Sequence, residues 1–143
     1  MLLIAHRGNL YGPNPEKENQ PSYVMATLIA GFDAEVDVWA EGPRWFLGHD
    51  NPTYQVTPRF LLTGGLWLHC KNYSALARLL TSPWAKKLNF FYHTNEDYVL
   101  TSRKFVWAYP GRPGGFRTIC VLPEKFEDAE GFYGVCSDFV GTL

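Results

Sequence analysis

The sequence lacks a surplus of charge of either sign. Among its 143 residues, 13 basic side chains stand against 14 acidic ones, so the formal net charge is −1 at pH 7. Proteins that hold polyanions without sequence preference need a strongly basic surface, and a nucleic acid is therefore not an expected partner. The length suits one compact domain, and no internal repeat, linker or low-complexity segment divides residues 1–143.

Paired cysteines, a basic leader and a long apolar run are also missing. The three cysteines, Cys70, Cys120 and Cys136, are odd in number, widely spaced and set in apolar stretches, so we expect buried, reduced thiols. The apolar opening reaches His6 too soon to form a signal peptide or a membrane span. These features predict a soluble cytoplasmic protein without stable membrane association.

Helical patterns are scarce, whereas short runs of β-branched, leucine and aromatic residues recur along the chain. The clearest helical window is Pro21 to Ala30, which Asn19 can cap, and a second runs from Ser74 to Leu80. Strands are predicted at residues 2–6, 33–40, 44–48, 66–71, 89–94, 98–101, 104–109, 118–122 and 134–138. The first strand, helix and second strand form a βαβ unit, which favours an α/β fold with parallel strands.

Two carboxylates share one face of the second predicted strand. Glu35 and Asp37 are two residues apart, so they project to the same side, a few ångströms from one another. Their repulsion is relieved if one takes up a proton or if a cation lies between them, and oxygen ligands favour magnesium or calcium. The alternative is a solvated strand face.

Ionisable side chains also stand near the ends of other predicted strands. Strand alternation places His69 and Lys71 on one face, where His69 is either functional or a hydrogen-bonded core histidine. His6 and His49 each follow an apolar strand, and Arg7 is adjacent to the first of them. Two histidines can serve as acid and base, and a guanidinium can hold two phosphate oxygens. Ligands of α/β folds collect at the carboxyl ends of strands, which makes this placement a functional indication.

Four short motifs in residues 1–52 stand in an order and at a spacing typical of one enzyme family. They are His6-Arg7-Gly8, Glu18-Asn19, Glu35-Val36-Asp37-Val38 and His49-Asp50. Together they resemble the glycerophosphodiester phosphodiesterase family of the phospholipase-C-like phosphodiesterase superfamily. Lys71 is similar to the lysine that ends the third strand of that family. Beyond residue 52 the likeness is thinner and rests on residues 121–124 and 136–139.

The resemblance implies a fold. Members of the family are TIM-type barrels, which usually have roughly 200 residues or more. Because this chain is shorter, the resemblance implies a reduced TIM-like (β/α) barrel that lacks several outer helices.

The resemblance also implies a chemistry, namely metal-dependent hydrolysis of a small glycerophosphodiester-type substrate. Glu35 and Asp37 would hold a divalent cation, with Mg²⁺ or Ca²⁺ expected and Mn²⁺ as a further candidate. His6 and His49 would move protons to and from the attacking and leaving oxygens. Arg7 would contact the phosphate and take part in catalysis.

Three other positions carry expectations from the same resemblance. Lys71 would be a second phosphate contact. His69 stands where the family usually has an acidic metal ligand. One alternative is that His69 completes the metal site. The other is that His69 hydrogen-bonds a phosphate oxygen or a carboxylate, and that Glu124 or water is the third metal ligand. Glu18 would be a carboxylate on the metal side, or a charge that complements the N-terminus of the first helix.

Two other functions fit parts of the pattern. A shortened barrel is also compatible with a phosphate-binding module that has lost turnover. A phospholipase-like enzyme would need an apolar lip, for which segments 10–11 and 60–62 are candidates. Further strand-end residues that are candidates for the mouth of the site are His93, Tyr109, Glu124 and Asp138. The oligomeric state and the alcohol of the substrate stay open.

Overall fold

A computed structural model describes residues 1–123 and 126–143, apart from the side chain of Phe126. In these residues ten strands and three α-helices are found. The strands are β1 Leu2–His6, β2 Asp33–Glu41, β3 Arg44–Leu47, β4 Tyr54–Val56, β5 Leu66–Cys70, β6 Phe90–Tyr92, β7 Tyr98–Leu100, β8 Val106–Ala108, β9 Thr118–Val121 and β10 Gly134–Ser137. The helices are α1 Pro21–Ile29, α2 Pro58–Leu61 and α3 Tyr73–Thr81, and short 3-10 turns span Ala85–Lys87, Phe126–Ala129 and Val140–Thr142.

The strands form one curled, mixed sheet. Its order is β4-β3-β2-β1-β10-β9-β8-β7, and β5 pairs with β2 and also with β6. The pairs β1–β2, β1–β10, β9–β10, β8–β9, β2–β5 and β5–β6 are parallel, whereas β2–β3, β3–β4 and β7–β8 are antiparallel. The long strand β2 contacts β1, β5 and β3 along different parts of its length.

The expectation of a reduced TIM-like barrel is wrong. Such a barrel alternates strands and helices, but in the described part of the chain only the β1–β2 and β5–β6 crossovers contain a helix of two turns or more. Hairpins link β2 to β3 and β7 to β8, and a 3-10 turn stands between β9 and β10. A crossover connection needs about a dozen residues, and the two hairpin connections are much shorter than that. The result is an open half-barrel rather than a closed ring with a helical coat.

Most predicted elements are present at nearly the expected bounds. The first βαβ unit has parallel strands, as predicted. The sequence did not indicate β4 or α2, which are three and four residues long. The assignment of Asn19 as the cap of α1 is wrong, because the N-cap is Gln20 and makes no side-chain cap bond. Asn19 instead hydrogen-bonds Asp37.

Apolar clusters lie on both faces of the curled sheet. On the outer face, Val24 of α1 and Leu79 of α3 belong to one cluster with strand residues such as Val36, and a smaller cluster contains Ala5, Cys120 and Val135. The inner cluster consists of Ile4, Trp67, Phe91, Trp107, Ile119, Val121 and Cys136. The three cysteines are buried and free, as expected, and burial raises the pKa of Cys70 to about 12.

On the inner face of the sheet, apolar side chains give way to polar ones two residues further along the chain, towards the carboxyl ends of the strands. Since alternate residues of a strand share a face, each inner apolar residue is followed two positions later by a side chain nearer the carboxyl end. Within or directly after four strands this gives the pairs Ile4 and His6, Trp67 and His69, Trp107 and Tyr109, and Cys136 and Asp138, whereas β2 has two acidic residues, Glu35 and Asp37, on this face. The apolar layer therefore supports a polar layer at the carboxyl ends of the parallel strands.

Candidate active site

Glu35, Asp37 and His69 converge at this edge of the sheet. Their ligand atoms lie within 4.8 Å of one another, and both carboxylates are almost fully buried. The Nδ1 atom of His69 lies 3.2 Å from Asp37 Oδ1 and 3.4 Å from Glu35 Oε1. Neighbouring ligands around one Mg²⁺ or Mn²⁺ ion stand ~3.0 Å apart, so the three donors fit such a cation. Their convergence follows from the β2–β5 register, which pairs Asp37 with His69.

Asp37 is held by two residues with left-handed backbone conformations. Arg7 has φ 53° and Asn19 has φ 64°, values that non-glycine residues adopt rarely. The Asn19 amide donates to Asp37 Oδ2 at 2.9 Å, and its oxygen accepts from the Asp37 backbone N–H at 3.0 Å. Arg7 Nε lies 3.2 Å from the same carboxylate oxygen. Strained residues of this kind cluster at functional sites, where the surroundings fix them.

His69 is oriented by a contact on its other nitrogen. Its Nε2–H donates to the backbone carbonyl of His93 at 2.9 Å, and its ring stacks on Phe91. Nδ1 therefore points at the carboxylates, the arrangement that metal-binding histidines use when a second partner fixes the tautomer. In the absence of metal, burial opposes the charge of the imidazole, but contact with Asp37 and Glu35 raises the pKa of His69 to about 9. Burial likewise opposes the Asp37 carboxylate, whose pKa the His69 and Arg7 contacts lower to about 2.

The stability of the metal-free protein is expected to fall by roughly 2–4 kcal/mol between pH 6 and pH 9 through His69. Because its folded-state pKa of about 9 exceeds the ordinary 6.5, the charged ring stabilises the fold fully below pH 6.5. That contribution is lost as the pH rises through 9. Urea unfolding in the presence of a chelator measures the change, and the same series with His69→Gln subtracts every other group. An equal slope in both proteins would show that His69 is not charged in the folded state.

His6 is held by a carboxylate from the last strand region. Its Nδ1 lies 2.8 Å from Asp138 Oδ1, which also accepts from the Asn9 amide at 2.8 Å. Burial opposes the charge of the ring, but Asp138 and Glu35 raise the pKa of His6 above its ordinary value. Since His6 lines a cavity and its Nδ1 is engaged, Nε2 is the nitrogen available for proton transfer.

His49 follows the β2–β3 hairpin and has a similar arrangement. Its Nδ1 lies 2.8 Å from Asp50 Oδ1, and its side chain is 44% exposed. The preceding Gly48 accepts a hydrogen bond from the Trp39 indole at 2.6 Å and approaches the Asn51 backbone closely. This tight turn places His49 in the wall of a cavity that Glu35 and His69 also line.

Gly48→Ala should destabilise the protein by about 1–3 kcal/mol. A Cβ at this position would collide with the carbonyl oxygen of Asn51, so the turn that carries His49 must move. Gly64→Ala is the matched control, because a Cβ there meets nothing within 4 Å. Thermal unfolding of both variants tests this. Equal melting temperatures would show that the turn adapts without cost.

Arg7, Glu18 and Lys71 surround the cluster. Glu18 accepts from Arg7 Nη1 at 3.2 Å, from the Asn9 amide at 2.9 Å and from the backbone N–H of Asn14 at 3.1 Å. Glu18 therefore orients Arg7 and is outside the set of three metal donors. Lys71 Nζ lies 3.9 Å from Asp37 Oδ1, and both cationic side chains remain partly exposed.

Most of these side chains line one cavity of about 430 Å³, here called the substrate cavity, whereas Glu18 and Asp37 are not part of its wall. The predicted residues in its wall are His6, Arg7, Glu35, His49, His69, Lys71, His93 and Tyr109. Glu124, the other candidate for the third metal position, lies outside the described residues. The sequence analysis missed the orienting role of Asn9 and Asn19. Their positions beside His6-Arg7-Gly8 and Glu18 were the available signal.

The chain matches no protein-family model, no curated protein and no solved structure. Among the described residues, no helix has both the length and the apolar character that crossing a membrane requires.

Proposed function

We propose that this protein is a metal-dependent phosphodiesterase that acts on a small glycerophosphodiester-type molecule. The observation that carries the proposal is a cavity whose wall includes Glu35 and His69 of the three-donor cluster, two histidines held by carboxylates and an oriented arginine, with Asp37 buried directly beside it. Each component occurs in other kinds of protein, and together they would supply the charge stabilisation and the proton transfer that phosphodiester hydrolysis needs. Catalytic acids and bases need perturbed environments of this kind.

The reaction adds water to phosphorus and breaks one ester P–O bond, giving a phosphate monoester and an alcohol. One histidine removes a proton from the attacking water, and the other gives a proton to the leaving alkoxide oxygen. Asp138 and Asp50 hold Nδ1 of His6 and His49, so Nε2 carries the transferred proton in each case. The raised pKa of His6 favours it as the acid at neutral pH.

Charge on the non-bridging phosphate oxygens must also be stabilised. Arg7 is fixed by Glu18 and Asp37 before substrate arrives, so little reorganisation is needed when it contacts the phosphate. Lys71 supplies a second positive charge in the same cavity. A divalent cation held by Glu35, Asp37 and His69 would neutralise a phosphate oxygen and lower the pKa of a bound water.

The proposal is tested by an assay of chelator-treated protein against phosphodiesters and matched phosphomonoesters, with Mg²⁺, Ca²⁺ or Mn²⁺ added back. Metal-dependent release of alcohol from diesters, with little from monoesters, is the expected result. The His6→Ala variant prepared in the same way controls for a contaminating enzyme. Activity that persists in that variant, or that needs no metal, would contradict the proposal.

A phosphate-binding module without turnover is the second candidate. It is favoured by the missing helices and hairpin connections, which leave few loops to position a substrate. Saturable binding of a diester by protein that hydrolyses none would support this alternative. The lipid-directed alternative has less support, because Leu61 in its predicted lip is buried.

A further inference from the structure

Two cavities meet at the phosphate position. Arg7 and His49 line the substrate cavity and also a second cavity of about 330 Å³, which we call the side cavity. A phosphate contacted by Arg7 at this common wall would direct its ester groups into different spaces. A phosphomonoester has only one such group, so two cavities suit a diester.

The side cavity is polar. Besides Arg7 and His49, its wall includes Glu18, Asp50, Asn51 and Thr53. Thr53 donates to the Asn51 carbonyl at 3.0 Å, and its hydroxyl oxygen remains able to accept a hydrogen bond. Such a wall suits a small ester group that carries a hydroxyl, because each polar group then finds a partner.

The far wall of the substrate cavity is apolar and aromatic. It is formed by Trp107, Tyr109, Pro110, Val121 and Leu122. The Trp107 ring is fixed against Phe91, with ring centroids 4.6 Å apart. Tyr109 and Leu122 are 42% and 37% exposed, so they offer unburied apolar surface next to the phosphate position.

Leu122, in this wall, has an unusual backbone conformation. It has φ 46°, and its N–H donates to the Cys136 carbonyl at 2.7 Å. The left-handed conformation is unfavourable for leucine and is normal for asparagine or glycine. A strained residue with an apolar side chain at the cavity is an observation that points to use by a ligand.

We propose that the two ester groups of the substrate lie in different cavities. An aromatic or compact apolar ester group lies against Tyr109 and Leu122, and a small hydroxylated ester group lies in the side cavity. The inference rests on the proposed function, since it assigns the two ester groups of a diester whose phosphate contacts Arg7.

Three probe diesters test the assignment: 4-nitrophenyl 2-hydroxyethyl phosphate, bis(4-nitrophenyl) phosphate and 2-hydroxyethyl methyl phosphate. The first two have the same leaving group, 4-nitrophenolate. For the first, turnover is counted as the open hydroxyethyl phosphate, because attack by the probe's own hydroxyl also releases 4-nitrophenolate and gives a cyclic phosphate. We expect kcat/KM to be about 10-fold or more higher for the hydroxyethyl aryl diester than for the bis-aryl diester. The bis-aryl diester must place an aromatic ring in the polar side cavity.

Leu122→Asn provides the second arm. Asparagine accepts positive φ, so the backbone is retained while the apolar surface is lost. We expect kcat/KM to fall about 10-fold for the hydroxyethyl aryl diester and to change less than about twofold for the hydroxyethyl methyl diester. Leu80→Asn is the matched control, because Leu80 is 63% exposed on α3 and lies outside both cavities.

The outcomes separate this inference from the proposed function. Equal kcat/KM for the two aryl diesters, or an equal loss for the aryl and the methyl hydroxyethyl diesters in Leu122→Asn, overturns the substrate assignment and leaves the phosphodiesterase in place. If no diester is hydrolysed with any metal, the proposed function fails. Calorimetric binding to the unreactive protein then decides the assignment: tighter binding of the hydroxyethyl aryl diester upholds it, and no preference overturns it.

Discussion

Replacement of His6 or His49 by alanine is expected to lower turnover of the best diester by roughly 10²- to 10⁴-fold. Each variant removes a group proposed to move a proton, while the cluster of Glu35, Asp37 and His69 is kept. The effect on stability should be small for His49, which is half exposed, and modest for His6, whose loss leaves Asp138 bonded to Asn9. Steady-state kinetics and urea unfolding of the same preparations measure both quantities.

The pH profile separates a catalytic histidine from a structural one. If the two histidines act as acid and base, kcat/KM of the wild type is bell-shaped, and each alanine variant loses one limb. Asp138→Asn should cause a smaller loss than His6→Ala, because the ring remains but its orientation is less well defined. Near wild-type turnover in either alanine variant would show that the histidine concerned does not transfer a proton.

Asp37→Asn is expected to weaken binding of Mg²⁺ or Mn²⁺ by more than about 100-fold, beyond the ~10–100-fold typical of residues that only support a ligand. The carboxylate is one of three donors, and an amide supplies neither its charge nor its second acceptor. Asp33→Asn is the matched control, because Asp33 lies at the other end of β2 and accepts from the Trp67 indole. Calorimetric titration of folded, chelator-treated proteins gives the affinities. Equal affinities in the two variants would place the metal elsewhere.

His69→Glu tests the third donor by the same titration. A carboxylate adds negative charge, so the variant should bind Mg²⁺ or Ca²⁺ more tightly if His69 is a direct ligand. Preference for softer ions such as Mn²⁺ or Zn²⁺ should decline, because imidazole suits them better than carboxylate does. Unchanged or weaker Mg²⁺ affinity would count against His69 as a ligand.

The polar edge of the sheet could be predicted from the sequence because strand alternation is a local rule. Glu35 with Asp37, and His69 with Lys71, were placed on common faces by spacing alone. Their mutual approach depends on the pairing of β2 with β5, which is a long-range property. The resemblance to a known family indicated that these motifs belong to one site. The β2–β5 register is what brings Asp37 and His69 into contact.

The overall architecture could not be predicted in the same way. Short apolar runs predict strands, but they do not show the direction in which neighbouring strands pair. The antiparallel β7–β8 pairing, which a barrel of parallel strands does not contain, was therefore not predicted. The role of Asn19 was also missed. Its sequence context suits a helix cap, and only the tertiary structure brings it to Asp37.

The position of the metal is tested most directly by a crystal grown with Mn²⁺ and measured for anomalous scattering. One strong peak is expected, bonded to Glu35, Asp37 and Nδ1 of His69, with Arg7 and Lys71 beside it in the substrate cavity. A map with no peak among these three side chains at saturating Mn²⁺, or with its peak at another site, would contradict the metal centre and the function proposed from it.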